Sequence, residues 1–321
     1  MSEPNKYMNP TITYRMIIFT LCGIAFWSTA AIASADERYK GEITMLWPKD
    51  VASQDTKGMG TMKPGGKGGL RLTDITQPYL SYFPAPDQEA PVPVVIVSPG
   101  GGYIHIGGTT GRYQIAEWLN DHGISAFVLH YRIPKYRNRA YNDIQRAVRI
   151  VRSRAAEWNI DPERIGVMGT SAGGHLSARV STGYDIPSYK AVDELDGASC
   201  KPNFTVLLCP AYMNKGKALA KEFTVTDKLS PTLIVTCKDD GFFIGSEVYA
   251  KALEEAGAPV RTHFFEKGGH GIKIRGEKYP LSTWPNLYLQ WLKDMKIIEE
   301  AEPENVTDKK DTKPLNPKIS Q

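Results

Sequence analysis

Gly169-Thr170-Ser171-Ala172-Gly173 sets a serine between two glycines, directly after the apolar run Arg-Ile-Gly-Val-Met-Gly at 164–169 and at the head of a helical pattern. Where a strand turns into a helix this tightly, the positions two residues either side of the apex have no room for side chains. The apex hydroxyl is thereby pushed out toward a substrate. Such a serine is suited to nucleophilic attack on an acyl carbon. It needs a base to take its proton and a carboxylate to orient that base.

Six histidines compete for the role of base. His270 sits in the glycine loop Lys267-Gly268-Gly269-His270-Gly271, directly after the strand expected over Val260–Phe265, at the strand end where the sites of open α/β sheets gather. His263 lies inside that strand, His122 in a helix-ending turn and His130 within or at the end of a strand. His175 follows Ser171 on the same helix and is expected to pack or bond locally, while His105 follows an upstream glycine loop and could line a pocket. For the acid, Asp239 and Asp240 both close the run "PTLIVTCKDD", residues 231–240. Side chains alternate along a strand, so only one of the two can aim at His270; Asp240 is the choice, with Asp239 solvated or capping the next turn.

The tetrahedral intermediate also needs donors for its oxyanion. "SPGGGY", residues 98–103, is a loop nearly free of side chains after an earlier strand, and the N–H of Ala172 beside the nucleophile is a second source. A phosphate-binding turn does not fit, because the loop lacks both the G-x-G-x-x-G spacing and a terminal Lys-Ser/Thr.

The elements that must hold these residues alternate along the chain. Strands are expected in "VPVVIVS", "ISAFVLHYRIP", "RIGVMG", "FTVLLCPAY", "PTLIVTCKDD" and "VRTHFF". Between and after them lie helical patterns: "RYQIAEWLNDHG" closed by Gly123, "NDIQRAVRIVRSRAAEW", "SEVYAKALEEAG" with Ser246 as N-cap and Gly257 as stop, and "STWPNLYLQWLKDM". Asp161-Pro162 is read as a turn. This alternation predicts an α/β fold with a mostly parallel sheet covered by helices on both faces.

Together these residues resemble the α/β-hydrolase carboxylesterases, particularly secreted bacterial esterase/lipases similar to acetyl xylan esterases and relatives of the hormone-sensitive-lipase group. The resemblance runs over roughly residues 71–295. It rests on "PGGGY", "YRIP", "DIQRAVRIVRSRAAEWNIDPERIGVMGTSAGGHL", "KAVDELD" and "KGGHG". It implies a three-layer α/β-hydrolase fold and ester hydrolysis by Ser171, Asp240 and His270. It further implies Gly100, Gly101 and Ala172 as oxyanion donors, with no cofactor. Pro99 ahead of the glycines matches acetyl-esterase-like members, whereas Phe243-Ile244 stands where relatives commonly carry Val-Pro.

The remaining sequence frames this reading. Lys6 and Arg15 precede the apolar run Met16–Ile32 and the small-residue site Ala33-Ser34-Ala35, so residues 1–35 read as an export signal, with an uncleaved membrane anchor as the alternative. Residues 36–70 are expected to be flexible, with 51–69 a loose glycine- and lysine-rich loop; 71–298 form the catalytic domain and 299–321 a polar disordered tail. A net charge of +4 over 321 residues is too small an excess to imply a basic stripe, so no nucleic-acid partner is expected. No histidine pair with a carboxylate stands at ligand spacing, so no metal is implied. Cys200 with Cys209 is the one disulfide worth testing; Cys209 and Cys237 otherwise read as buried free thiols. The expected function is an exported serine carboxylesterase for small acyl esters, acetyl above all, with a small-molecule or polysaccharide substrate. A peptidase of prolyl-oligopeptidase type and a non-catalytic binding scaffold are the rivals. The sequence is silent on oligomeric state.

Overall fold

The structure is a computed structural model and describes residues 42–48, 58–65, 70–86, 89–107, 109–271, 274 and 280–299. The export segment and the C-terminal tail beyond 299 lie outside the described residues.

Strands β1 (Ile43–Met45), β4 (Tyr79–Phe83), β5 (Val92–Ser98), β6 (Ser125–His130), β7 (Ile160–Thr170), β8 (Phe204–Leu208), β11 (Thr232–Cys237) and β12 (Val260–Phe265) make one eight-stranded sheet, ordered β1-β4-β6-β5-β7-β8-β11-β12. From β6 to β12 all neighbours are parallel; β4 runs antiparallel to both β6 and β1. Two small antiparallel pairs lie apart from it: β2 (Thr61–Pro64) with β3 (Leu70–Thr73), and β9 (Asn214–Lys215) with β10 (Ala218–Leu219).

The strands read as unbroken apolar runs because both faces of the sheet are covered. Val94 and Ile96 face one core with Phe127, Leu129 and Val167; Val95 and Val97 face the other with Ala126, Val128 and Met168. On the first face lie α2 (Arg137–Ser153), through Ile144, Ala147, Val148 and Val151, and α3 (Ala172–Thr182), through Leu176 and Val180. Helix α4 (Phe243–Glu255) closes this face near β11 with Tyr249 and Leu253. On the second face lie α1 (Thr109–Asn120), through Ile115 and Leu119, and α5 (Trp284–Asp294), through Trp284, Tyr288 and Trp291. The architecture is the expected three-layer α/β sandwich.

Several local expectations need correction. Residues 36–70, read as flexible, supply an edge strand of the main sheet at Ile43–Met45. Within the loop read over 51–69, Thr61–Pro64 pairs with Leu70–Thr73, Met62 opposite Leu72. Cross-strand pairing, which a one-dimensional pattern does not report, supports this ribbon. Asp161-Pro162 does not interrupt β7. It sits at a register irregularity against β5, with Asp161 Oδ1 accepting from Glu163 N at 2.9 Å. Ser246 is no N-cap, because α4 begins three residues earlier and buries it. Cys200, Cys209 and Cys237 are all buried and free. The pair Cys200–Cys209 fails because Cys200 lies in the core of the first face and donates to Tyr184 O, while Cys209 follows β8 and points its Sγ toward Gly271 O.

Candidate active site

The turn from β7 to α3 forces the serine into place. Ser171 has φ 55° and ψ −118°, a left-handed conformation that costs a non-glycine residue strain. A Cβ on Gly169 would lie 2.0 Å from Gly173 O, and one on Gly173 would lie 1.9 Å from Ser98 O. Both contacts are with backbone, so glycine is required at each position. Ser171 N donates to Leu208 O, and Ser171 O accepts from His175 N and Ala211 N, each at 3.1 Å. The apex is thus pinned by β8 and by its own helix.

Three side chains meet at the carboxyl ends of β7, β11 and β12. His270 Nε2 lies 2.8 Å from Ser171 Oγ, and His270 Nδ1 lies 3.0 and 2.9 Å from the two Asp240 carboxylate oxygens. The carboxylate only accepts, so Nδ1 carries the proton and Nε2 is left to accept from the serine hydroxyl. The Asp240 carboxylate is fully buried, whereas the imidazole is about one-third exposed. Phe242 N donates to Asp240 Oδ1 at 2.9 Å and Thr236 Oγ1 to Oδ2 at 3.4 Å. Asp239, the other candidate acid, accepts instead from Gly268 N at 3.2 Å and Gly269 N at 2.8 Å. These amide donors hold its carboxyl below the ordinary range. It ties down the loop that carries His270, a role that the strand pattern did not signal.

The glycine loop passes directly alongside. A Cβ on Gly100 would stand 2.9 Å from Thr170 O and 3.2 Å from Ser171 Cβ; Gly101 has φ 139°, and a Cβ there would overlap His105 O. Gly100, Gly101 and Ser171 line one cleft of about 540 Å³ with His270 and His105, walled by the apolar side chains of Val97, Ile115 and Ile274. Ala172 is buried at the first position of α3, where an N–H has no intrahelical acceptor. Among the described residues, no protein acceptor is found for the N–H groups of Gly100, Gly101 or Ala172.

The loop is braced from behind. Tyr131 Oη donates to Pro99 O at 2.8 Å, and Tyr103 Oη lies 2.7 Å from His175 Nδ1. His175 Nε2 in turn lies 3.2 Å from Glu222 Oε1. His175 therefore couples the elbow helix to the glycine loop and to a distant segment, where local bonding was expected. Burial holds its pKa down, to about 4, against the opposing pull of Glu222. Of the other histidines, His105 lines the cleft, with its pKa lowered by burial and by Arg71. His122 bonds Trp118 O, and His130 stacks on Tyr79 at 4.0 Å.

Residues 81–206 match the BD-FAE family model. The acetylxylan esterase of Xylanibacter ruminicola is 29% identical over 229 residues, 63% of this chain and 44% of that protein. The Mycobacterium tuberculosis esterase LipC is 31% identical over 103 residues, 32% of this chain and 26% of its own. The chain thus spans less than half the length of these curated relatives. Among solved structures, the acetyl ester-xyloside bifunctional hydrolase of Caldicellulosiruptor lactoaceticus superposes with a TM-score of 0.65 at 29% identity, covering 81% of this chain and 98% of that one. A thermophilic esterase of Thermogutta terrifontis with propionate bound gives 0.63 at 21% identity, over 77% and 98%, and speaks for the fold alone. The acetylxylan esterase, LipC and the Caldicellulosiruptor enzyme are each named for ester hydrolysis. Sheet order, covering helices and these likenesses agree on an α/β-hydrolase fold, in which residues 81–206 match the BD-FAE family and the chain is similar to an acetylxylan esterase.

Proposed function

We propose that the protein is a serine carboxylesterase that removes small acyl groups, acetyl foremost, from a small-molecule or polysaccharide ester. Ser171 Oγ attacks the carbonyl carbon as His270 Nε2 takes its proton, and Asp240 stabilises the imidazolium that forms. The N–H groups of Gly100, Gly101 and Ala172 receive the oxyanion. Collapse of the tetrahedral intermediate breaks the bond to the alkoxy oxygen, which leaves with the proton from His270. Water, deprotonated by the same imidazole, then releases the acid from the acyl-enzyme.

The observation that carries this reading is the unbroken chain of contacts, 2.8 Å from serine to histidine and 2.9 Å from histidine to aspartate. The cleft of about 540 Å³ is of ordinary size for a small-molecule site. Replacing Ser171 by Ala lowers turnover of p-nitrophenyl acetate by on the order of a millionfold. An S171A variant as fast as the parent would end the assignment. Activity across p-nitrophenyl esters of increasing acyl length is expected to fall beyond the shortest, and acetylated xylan is the polymer to test beside them. Export is part of the proposal and rests on the segment 1–35. Protein recovered from outside the cytoplasm is expected to begin at Asp36.

A further inference from the structure

A second cleft, of about 800 Å³, opens beside the first, and Gly102 lines both. The two differ in chemistry. The first has apolar side chains among its walls, whereas Lys135, Arg137 and Arg139 line the second with Tyr136 and Tyr212, and no carboxylate lines it among the described residues. All three cations are exposed. The two guanidinium groups are nevertheless positioned: Arg137 lies over the Tyr212 ring at 4.3 Å and the Tyr103 ring at 5.2 Å, and Arg139 over the Tyr136 ring at 4.9 Å. Stacking fixes the plane of a guanidinium while leaving its N–H edge free, in contrast to an ion pair, which uses that edge up. Arg132 and Arg146 nearby illustrate the second situation, each engaged with buried or half-buried aspartates.

The path between the clefts is a row of rings. Phe242 packs on His270 with centroids 5.0 Å apart, Tyr212 on Phe242 at 5.6 Å, and Arg137 covers Tyr212. A molecule that places its ester at Ser171 can therefore extend over Gly102 to the guanidinium groups. The short acyl part suits the smaller cleft with apolar walls, so the polar alcohol part is the half that reaches the cationic one.

We propose that the second cleft is a subsite for an oxyanion, a carboxylate or sulfate, carried by the alcohol part of the substrate, so that the preferred esters are acylated acidic saccharides. This rests on the esterase reading above. Planar two-point pairing of guanidinium with carboxylate makes the uronate form the best match.

The test compares an acetylated methyl glucuronoside with its C6 amide, which keeps the shape and removes the charge. An acetylated 6-O-sulfo glucoside identifies a sulfate source. The intact protein is expected to favour the carboxylate over the amide in kcat/KM by about fivefold at low salt, the scale of an exposed ion pair. The ratio should fall toward one in about 0.5 M NaCl and in the double variant R137Q/R139Q, whose folding is checked by its melting temperature and by fluorophosphonate labelling of Ser171. A larger ratio for the sulfo sugar assigns the site to sulfate. Equal hydrolysis of carboxylate, sulfate and amide, or a preference untouched by R137Q/R139Q, overturns the proposal. If p-nitrophenyl acetate is not hydrolysed at all, the esterase reading fails by itself. The subsite is then judged by calorimetric binding of methyl glucuronoside and methyl 6-O-sulfo glucoside, weakened in R137Q/R139Q if it exists and absent from the parent protein if it does not.

Discussion

Asp239 and Asp240 are neighbours in the chain with the same chemistry, and geometry separates them. Asp240 is fully buried against His270 Nδ1, and an amide in its place would present a donor to a proton-bearing nitrogen. D240N is therefore expected to lower kcat on p-nitrophenyl acetate by about 10⁴. D239N keeps the proton path and weakens only the acceptor that holds Gly268 and Gly269, so its loss of kcat should be far smaller; equal losses would mean that the roles are misassigned. Strand alternation does not reach either of them. Strand β11 ends at Cys237, and Asp240 N bonds Cys237 O in the turn that follows. What the sequence did carry was the pairing of residue types with strand ends. His175 carries the second prediction at this scale. Its folded pKa is depressed by burial to about 4, below the ordinary imidazole value, so between these limits the unfolded chain binds more protons. Stability is fully present above about pH 6.5 and is lost as pH falls toward 4. Glu222, held below the ordinary carboxyl range by amide and His175 bonds despite its burial, acts in the same direction. The drop in melting temperature from pH 7.5 to 4.5 should be smaller in H175Q than in the parent, and an unchanged drop would remove His175 from the account.

The elbow was legible in one dimension because its demand is steric and local: five residues, two of them glycine for want of space. The same local reading failed for Ser246, since a cap is decided by where the preceding turn lets a helix begin. Phe243 N already bonds Asp240 O, and the helix starts before the serine arrives. It failed for Asp161-Pro162 as well, where a bulge against β5 absorbs residues that in isolation look like a turn. Parallel pairing joins residues far apart in the chain, so such accommodation is invisible to a window of neighbours. Glycine substitutions separate local from packed demands. A Cβ on Gly173 meets Ser98 O at 1.9 Å, so G173A must part the end of β5 from the elbow helix, and a cost of at least about 2 kcal/mol is expected. Gly123 has φ 72° with nothing within 4 Å of an added Cβ, so G123A pays only for its backbone conformation, about 1 kcal/mol. Urea denaturation midpoints of the two variants give the comparison. A G173A protein as stable as G123A would contradict the close approach drawn here.

Across the whole molecule, the edge of the sheet farthest from β12 is fastened to the first helical layer by one buried side chain. Arg146, on α2 and 2% exposed, donates through Nε to Leu46 O at 2.9 Å, just past β1. Its Nη1 and Nη2 reach Asp193 at 2.6 and 2.5 Å, and Nη1 lies 2.9 Å from Asp196 Oδ1. Three segments about 46, 146 and 195 residues along the chain thus converge on one guanidinium, and Trp47 adds a bond from its Nε1 to Asp143. Burial alone would push the Asp196 carboxyl up, yet Tyr189, Val192 N and Arg146 together hold it below the ordinary range. Removing the arginine leaves a buried carboxylate without its cation, which costs more than the pair itself contributes. R146M is expected to lose about 3 kcal/mol at pH 7, read from urea unfolding. A group with a depressed folded pKa contributes stability that is present above its unfolded value and lost as pH falls through the folded one. The gap between parent and R146M should therefore narrow below about pH 4, where protonation ends the advantage of the pairing. A gap that stays constant from pH 7 to pH 3 would mean that Arg146 acts through packing of its stem, and the charge account of this fastening would fall.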